Sequence, residues 1–225
     1  MSDCINDDTV YMMDLKGLEN ILIDMDGVLL DTVYDNYFWQ KHIPLKYAEL
    51  KSMSEDQAIK ITHTLFNYKR GCKDWYDLDY WSNMLNLDIE QEKLSSDMID
   101  RIKLKEGAED FLENYHKDKN LFLITNAHRK TLNIKMRKFP FTKYFKRVIC
   151  SHELKYIKEE IAFWFILRNE LSIDYEKSLL IEDTIDNIIS AYHAGLKSII
   201  IGNTSPNFKN TPFFNDLSSF SSSLK

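Results

Sequence analysis

The stretch Ile21-Leu22-Ile23-Asp24-Met25-Asp26-Gly27-Val28-Leu29-Leu30-Asp31-Thr32 decides how this chain is read. Ile21, Leu22 and Ile23 are consecutive apolar residues, two of them β-branched, and they predict a buried strand. The strand ends at two carboxylates, Asp24 and Asp26, with Gly27 immediately behind them. Positions i and i+2 of a strand point to the same side, so the two acids converge where the strand runs out. Burying one carboxylate is costly, and a second beside it costs more unless a cation compensates. A structural use for such a pair is hard to find. It marks a site.

Downstream, from Glu106, helix and strand alternate. Helices are predicted over Glu106–Lys117, Arg129–Phe139 (closed by Pro140), Glu159–Leu171 and Asp186–Ala194 (closed by Gly195). Apolar strands are predicted over Asn120–Asn126, Arg147–Ser151, Lys177–Asp183 and Lys197–Gly202. Fully apolar strands separated by helices imply a parallel sheet covered on both faces, with right-handed crossovers. In such sheets ligands bind beyond the carboxyl ends of the strands. Asp24 and Asp26, Thr125 and Asn126, and Glu182 and Asp183 all stand at such ends, which predicts one shared site.

Between these two regions the texture differs. Residues 34–103 hold hardly a β-run, a single Pro and a single Gly, and many aromatics. Asp35–Lys41, Leu45–Met53, Glu55–Tyr68, Tyr76–Leu85 and Ile89–Ile102 read as short helices, with Ser54 and Asp88 as helix starts. Asp31 reads as a turn former where the chain leaves the sheet. The expected organisation is an α/β core of residues 1–33 and 104–225 with a helical insert at 34–103.

The motifs resemble those of the haloacid-dehalogenase-like superfamily. Asp24-Met25-Asp26-Gly27-Val28 matches its first motif and Leu123-Ile124-Thr125-Asn126 its second. Ile181-Glu182-Asp183-Thr184, with Asn187 and Ser190-Ala191 before Gly195, matches its fourth. The third is a lysine ahead of a helix, assigned to Lys158 with Lys155 as runner-up; the proline that usually follows is missing. The resemblance implies a Rossmann-like parallel core with a helical cap of the C1 type after the first strand. It also implies a Mg2+-dependent phosphomonoesterase. Asp24 would be the nucleophile and Asp26 the acid and base, with Thr125 and Asn126 holding phosphoryl oxygens and Lys158 neutralising charge. Asp24, the Asp26 carbonyl, Asp183 and Glu182 would attend the metal.

The charge balance is consistent with those roles. A phosphate monoester brings about two negative charges, and Asp24 and Asp183 add to them, so a cation and a lysine are required. An all-oxygen, imidazole-free donor set favours Mg2+ over zinc. Asp186 is one residue out of register for an extra acid and serves as a first-turn helix acid.

The blocks Asp35–Lys41, His63-Thr64-Leu65, Leu78–Ser82 and Thr125-Asn126-Ala127-His128 narrow the resemblance to bacterial GMP/IMP nucleotidases. His63–Asp79 departs in length. Asp35, Asn36 and His128 are the expected substrate contacts. Tyr37, Trp39, Tyr80 or Trp81 could stack on a base, and His63 could hydrogen-bond one; most of these rings are expected to be cap core. The rival readings are a sugar-phosphate phosphatase or phosphomutase, and a catalytically idle phosphate binder. A dehalogenase would need neither Asp26 nor a metal, and a phosphonatase would want a cap lysine with no specific candidate here.

Composition bounds the rest. At 225 residues and 44% hydrophobic content, a sizeable core is available. A net charge of −6 argues against a partner that is a nucleic acid polymer or an anionic membrane. Cys4, Cys72 and Cys150 are scattered and odd in number, so free thiols in a reducing cytosol are expected. The acidic first fourteen residues do not resemble a signal peptide, and no apolar run approaches a membrane span, so a cytoplasmic location is expected. Residues 1–18 read as a loose lead-in and Ser218–Ser223 as a frayed tail.

Overall fold

The computed structural model describes residues 14–202 and 208–224. Strand β1 is Asn20–Ile23, and seven short helices follow before the alternating half begins. These are α1 Val33–Tyr37, α2 Ile43–Lys51, α3 Glu55–Lys69, α4 Lys73–Tyr76, α5 Leu78–Leu85, α6 Ile89–Lys93 and α7 Ser96–Ile99. The alternating half is α8 Ala108–Tyr115, β2 Asn120–Thr125, α9 Arg129–Lys138, β3 Arg147–Cys150, α10 Ile161–Leu171, β4 Ser178–Glu182, α11 Ile185–His193 and β5 Lys197–Ile201. A short β6, Phe213–Phe214, and α12, Leu217–Ser222, complete it.

The six strands form one parallel sheet in the order β3-β2-β1-β4-β5-β6. Its apolar runs divide by alternation. Ile21, Ile23, Leu121, Leu123, Leu179, Ile181, Ile199 and Ile201 pack on one face with Phe111, Leu112 and Leu132. Leu22, Phe122, Ile124, Ile149 and Leu180 pack on the other with Phe163, Trp164 and Leu167. Both faces are covered, as continuous apolar strands require. The fold is α/β and Rossmann-like, and β1, with the first acid pair, is central.

The C-terminal reading needs correction. The serine-rich end is not a frayed tail but a capped helix, started by Asp216, whose carboxylate accepts from Ser219 N at 2.7 Å. Leu217 and Phe220 are fully buried, and Phe220 lies 5.8 Å from Phe111, centroid to centroid. Burying a ring of that size contributes about 1.5–3 kcal/mol, enough to hold a helix of marginal propensity. Gly107 makes the docking possible: a Cβ there would meet Ser218 N at 2.3 Å. Strand β6 was likewise unforeseen. Of the expected lead-in, residues 1–13 lie outside the described residues, and Leu15 is buried. Cys72 and Cys150 are free thiols, and Cys4 lies outside the described residues.

The seven helices between β1 and α8 pack around aromatic rings. Phe66 meets Trp39 and Trp81 edge-on at 5.3 and 5.0 Å. Ser54 and Asp88 start helices as expected, Ser54 through a capping box with Gln57 and Asp88 by capping α6 through Gln91 N. The turn Phe38–His42 is wound more widely, as a π-helix, than the expected α-helix. The two ends of the helical insert pair in an isolated antiparallel bridge: Asp31 N donates to Lys103 O at 3.0 Å, and Lys105 N to Leu29 O at 2.9 Å. The Asp31 carboxylate accepts from Val33 N at 3.1 Å, the turn role expected of it.

Candidate active site

Strands β2, β1 and β4 are neighbours, so their carboxyl ends meet on one edge of the sheet. Gly27 follows with φ +88°, and a Cβ there would stand 1.9 Å from Asp183 Oδ2. Only a glycine lets the first acid motif turn this tightly against the fourth strand's acid.

Lys158 lies at the centre. Its Nζ donates to Asp24 Oδ1 at 2.5 Å and to Glu182 Oε2 at 2.6 Å, and all three side chains are buried. Its backbone is clamped as firmly. Lys158 N donates to Asn126 Oδ1 at 3.0 Å, while Trp164 Nε1 at 2.8 Å and the Ser190 hydroxyl both donate to its carbonyl. Lys155, the runner-up, is exposed and stands in a left-handed turn. The tie between the two lysines is broken by geometry that no local spacing encodes.

The carboxylates exceed this cation. Asp24, Glu182 and Asp183 bring oxygens within 4.8 Å of one another. Burial pushes the Asp24 carboxyl up to about 7 despite Lys158, with Glu182 and Asp26 adding to the rise. Burial, helped by Glu182 and Asp24, pushes Asp183 up to about 9. Against the pull of burial, those acids hold the Lys158 ammonium well above its ordinary range. A site that retains protons on two carboxyls lacks positive charge. Asn187 Oδ1, on α11 one turn beyond Asp183, is buried without a hydrogen-bond partner. Carboxylate and amide oxygens gathered around a charge deficit fit a hard divalent cation such as Mg2+. Both Glu182 oxygens already accept hydrogen bonds, Oε1 from Asp183 N and Thr184 N, so Glu182 also holds Lys158 and the turn.

Asp26 faces a second cation. Lys135, 1% exposed, donates from Nζ to Asp26 Oδ1 at 2.5 Å and also to Asp35 Oδ2. Lys93 donates to Asp35 Oδ1 at 2.8 Å, its Nζ 4.2 Å from the Phe38 ring centroid. Burial raises the Asp26 carboxyl although Lys135 opposes it. Burial would raise Asp35 too, but Lys135 and Lys93 hold it well below the usual carboxylate range. Asp35 lines the cavity with both oxygens committed to lysines, so it acts on the site through Lys135 rather than as a free substrate contact.

One cavity of about 660 Å³ joins these groups to the helical insert, a size typical of ligand pockets. Thr125 and Asn126 line it, and the Thr125 hydroxyl accepts from Ala127 N at 3.0 Å. Asn36 lines it too, its amide donating to Thr32 Oγ1 at 3.1 Å. His128 caps α9, stacks on His152 at 4.6 Å and forms part of the wall; burial lowers its ring below the ordinary histidine range. Of the four rings considered for a base, only Trp39 reaches the cavity. Trp81 is core, Tyr37 stacks on Arg101 at 3.5 Å and Tyr80 sits under Lys69 at 4.7 Å.

Sequence reasoning missed several members. Trp75 and Tyr76 line the cavity, and the Tyr76 hydroxyl donates to Glu159 Oε1 at 2.6 Å while Asn126 Nδ2 donates to Oε2 at 2.8 Å. Lys135 had one local signal: it shares a helix face with buried Thr131 and Leu132.

A family model described as haloacid dehalogenase-like hydrolase matches residues 21–201. The chain belongs to that family. Over 192 residues, 85% of either chain, it is 30% identical to the GMP/IMP nucleotidase YrfG of Escherichia coli strain K12. It is 23% identical to a phosphorylated carbohydrates phosphatase of Thermotoga maritima, over 81% of this chain and 84% of that protein. Among solved structures, a phosphatase of the same family from Thermococcus onnurineus superposes with a TM-score of 0.79 at 16% identity, covering 91% of this chain and 97% of that one. That likeness speaks for the fold alone. Among the described residues no helix is long and apolar enough to cross a membrane.

Proposed function

We propose that this hydrolase is a Mg2+-dependent phosphomonoesterase that cleaves purine 5′-mononucleotides, GMP or IMP, and acts in the cytoplasm. The observation that carries the phosphatase reading is Asp24. It is a buried carboxylate at a strand end, held at 2.5 Å by a fully buried lysine that Glu182 shares, beside Asp183, which among the described residues has no ion-pair partner. The nucleotidase reading rests on the 30% identity over 85% of both chains.

Asp24 attacks phosphorus through one oxygen, and the phosphorus–ester oxygen bond breaks, leaving an aspartyl-phosphate. Asp26, whose carboxyl is raised, gives its proton to the departing alkoxide and then takes one from the water that hydrolyses the intermediate. Lys158 and the Thr125 and Asn126 side chains meet charge on the phosphoryl oxygens. Asp24, the Asp26 carbonyl, Asp183 and Asn187 would hold Mg2+, with Glu182 beside them. Bound there, the ion supplies the positive charge that lets nucleophile and phosphate approach. The helical unit 34–103 serves as a cap that closes over the substrate and excludes water. Tyr76 on Glu159, Asp35 on Lys135, Asp79 and Glu90 on Lys130, and the Ile99 and Asp100 carbonyls on Lys138 are among its polar contacts with the core.

The test is phosphate release from GMP, IMP, AMP, UMP and several sugar phosphates, with Mg2+ or EDTA, beside Asp24→Asn. Preference for GMP and IMP, lost in Asp24→Asn and in EDTA, supports the reading. Preference for sugar phosphates keeps the chemistry and removes the nucleotide. Silence on every substrate overturns both.

A further inference from the structure

The cavity has a second polar end that the phosphate chemistry leaves unexplained. His63, Asn67 and Arg70 lie at i, i+4 and i+7 of α3 and its last turn, so they share one helix face, and all three line the cavity. Gln40, from the π-wound turn, lines it as well. Between them stand aromatic walls, Trp39, Phe66 and Trp75. Among the described residues the side chains of Gln40, Asn67 and Arg70 make no hydrogen bond or ion pair with the protein, and His63 Nε2 is shielded from solvent without a partner. Of these four residues His63 alone has a shielded nitrogen whose missing partner is costly, whereas Gln40, Asn67 and Arg70 are exposed and free to exchange water for a ligand.

We propose that this α3 face is a base-reading subsite selective for purines that carry a 6-oxo group. The proposal rests on the nucleotidase reading above and assigns its base preference to particular side chains. A guanidinium offers donors only. Hypoxanthine and guanine present O6 and N7 as adjacent acceptors, a match for two parallel N–H donors from Arg70. Adenine places its N6 amine donors where O6 would be, setting donor against donor. Pyrimidines have no N7 and reach less far. The Asn67 and Gln40 amides each donate and accept, so beside the His63 ring they suit the N1–H edge. The aromatic walls take the flat faces of the base. The one cavity is lined both by the strand-end carboxylates with Lys158 and by the α3 face.

The experiment compares kcat/KM for GMP, IMP, AMP and 7-deaza-GMP, with p-nitrophenyl phosphate as a substrate without a base, in wild type, Arg70→Met and Asn67→Leu. Arg70 is exposed on the outer end of α3, so its truncation is compatible with folding. The GMP-to-AMP ratio should fall about tenfold to a hundredfold in Arg70→Met, the discrimination expected of a bidentate contact to a base edge. Wild type should discriminate against 7-deaza-GMP, and Arg70→Met should discriminate much less. Asn67→Leu should lower kcat/KM for GMP and IMP by raising KM more than it lowers kcat. A GMP-to-AMP ratio that survives Arg70→Met overturns the assignment while leaving the nucleotidase reading intact. Wild type that cleaves p-nitrophenyl phosphate but no mononucleotide overturns the nucleotidase reading, and this proposal with it.

Discussion

Replacing Lys135 with methionine should unfasten Asp26, the proposed acid–base residue, from Asp35 of the helical unit. Lys135 is 1% exposed and bridges Asp26 and Asp35, whose side chains are 25% and 27% exposed. Removing one partner of a buried ion pair costs about 3–5 kcal/mol, because the charge left behind is uncompensated. Here two carboxylates would be left facing each other, but water reaches a quarter of each and Lys93 still meets Asp35. The lower end, about 3 kcal/mol, is therefore expected. Urea unfolding of Lys135→Met at fixed Mg2+ reads that loss as a lower midpoint with an unchanged slope. Adding Asp35→Asn relieves the facing charges but strands the buried Lys93 ammonium, so the double variant should be no more stable than Lys135→Met, a coupling that a double-mutant cycle isolates. Turnover should fall at least about tenfold with a smaller change in KM, since positioned acid–base catalysis contributes roughly 100- to 10,000-fold. Stability within about 0.5 kcal/mol of wild type, the scale of an ordinary surface substitution, together with unchanged kcat, would refute the reasoning.

The metal-free chain should lose stability as pH rises. Folded, Asp24 and Asp183 keep their protons to about pH 7 and about pH 9, whereas unfolded they release them near pH 4. The folded state thus binds more protons between those limits, and stability falls across that window. Mg2+ replaces the protons, so thermal melts should show a larger Mg2+ stabilisation at pH 8 than at pH 5; equal shifts would count against the metal assignment. Gly27→Ala places a methyl 1.9 Å from Asp183 Oδ2 at a φ of +88°, so about 1–2 kcal/mol of backbone strain and displaced Asp183 should follow. Metal titration should then show affinity weakened about tenfold or more. Phe220→Ala should cost about 3–5 kcal/mol in chemical unfolding, as a fully buried ring does; a loss under about 1 kcal/mol would return the C-terminus to the status of a loose tail.

Much of the catalytic half was legible because its signals are local. Apolar runs bounded by acids at Asp24 and Asp183, and by the polar Thr125–Asn126, state where strands stop and which side chains stand at their ends. Lys158 was legible only as one of two candidates, since a lysine ahead of a helix says nothing about which way it points. The C-terminal helix was misread because serines dominate its composition, while two apolar residues, Leu217 and Phe220, carry its packing. Trp75 and Tyr76 were passed over because they fall where the chain departs in length from the family pattern, and their value lies in facing a cavity.

Taken alone, the sequence determined the parallel α/β core, the helical insert, the strand-end acids and the class of chemistry that a buried acid pair implies. Strand periodicity and turn residues act over a few positions, so a linear reading reaches them. Only the tertiary structure decided that Lys135 meets Asp26 across 109 positions of chain, and that Tyr76 meets Glu159 across 83. It alone put His63, Asn67 and Arg70 on the lining of the cavity that Asp24 and Lys158 also line. Such contacts depend on how whole elements dock, and docking is set by the summed burial of many side chains rather than by any local pattern.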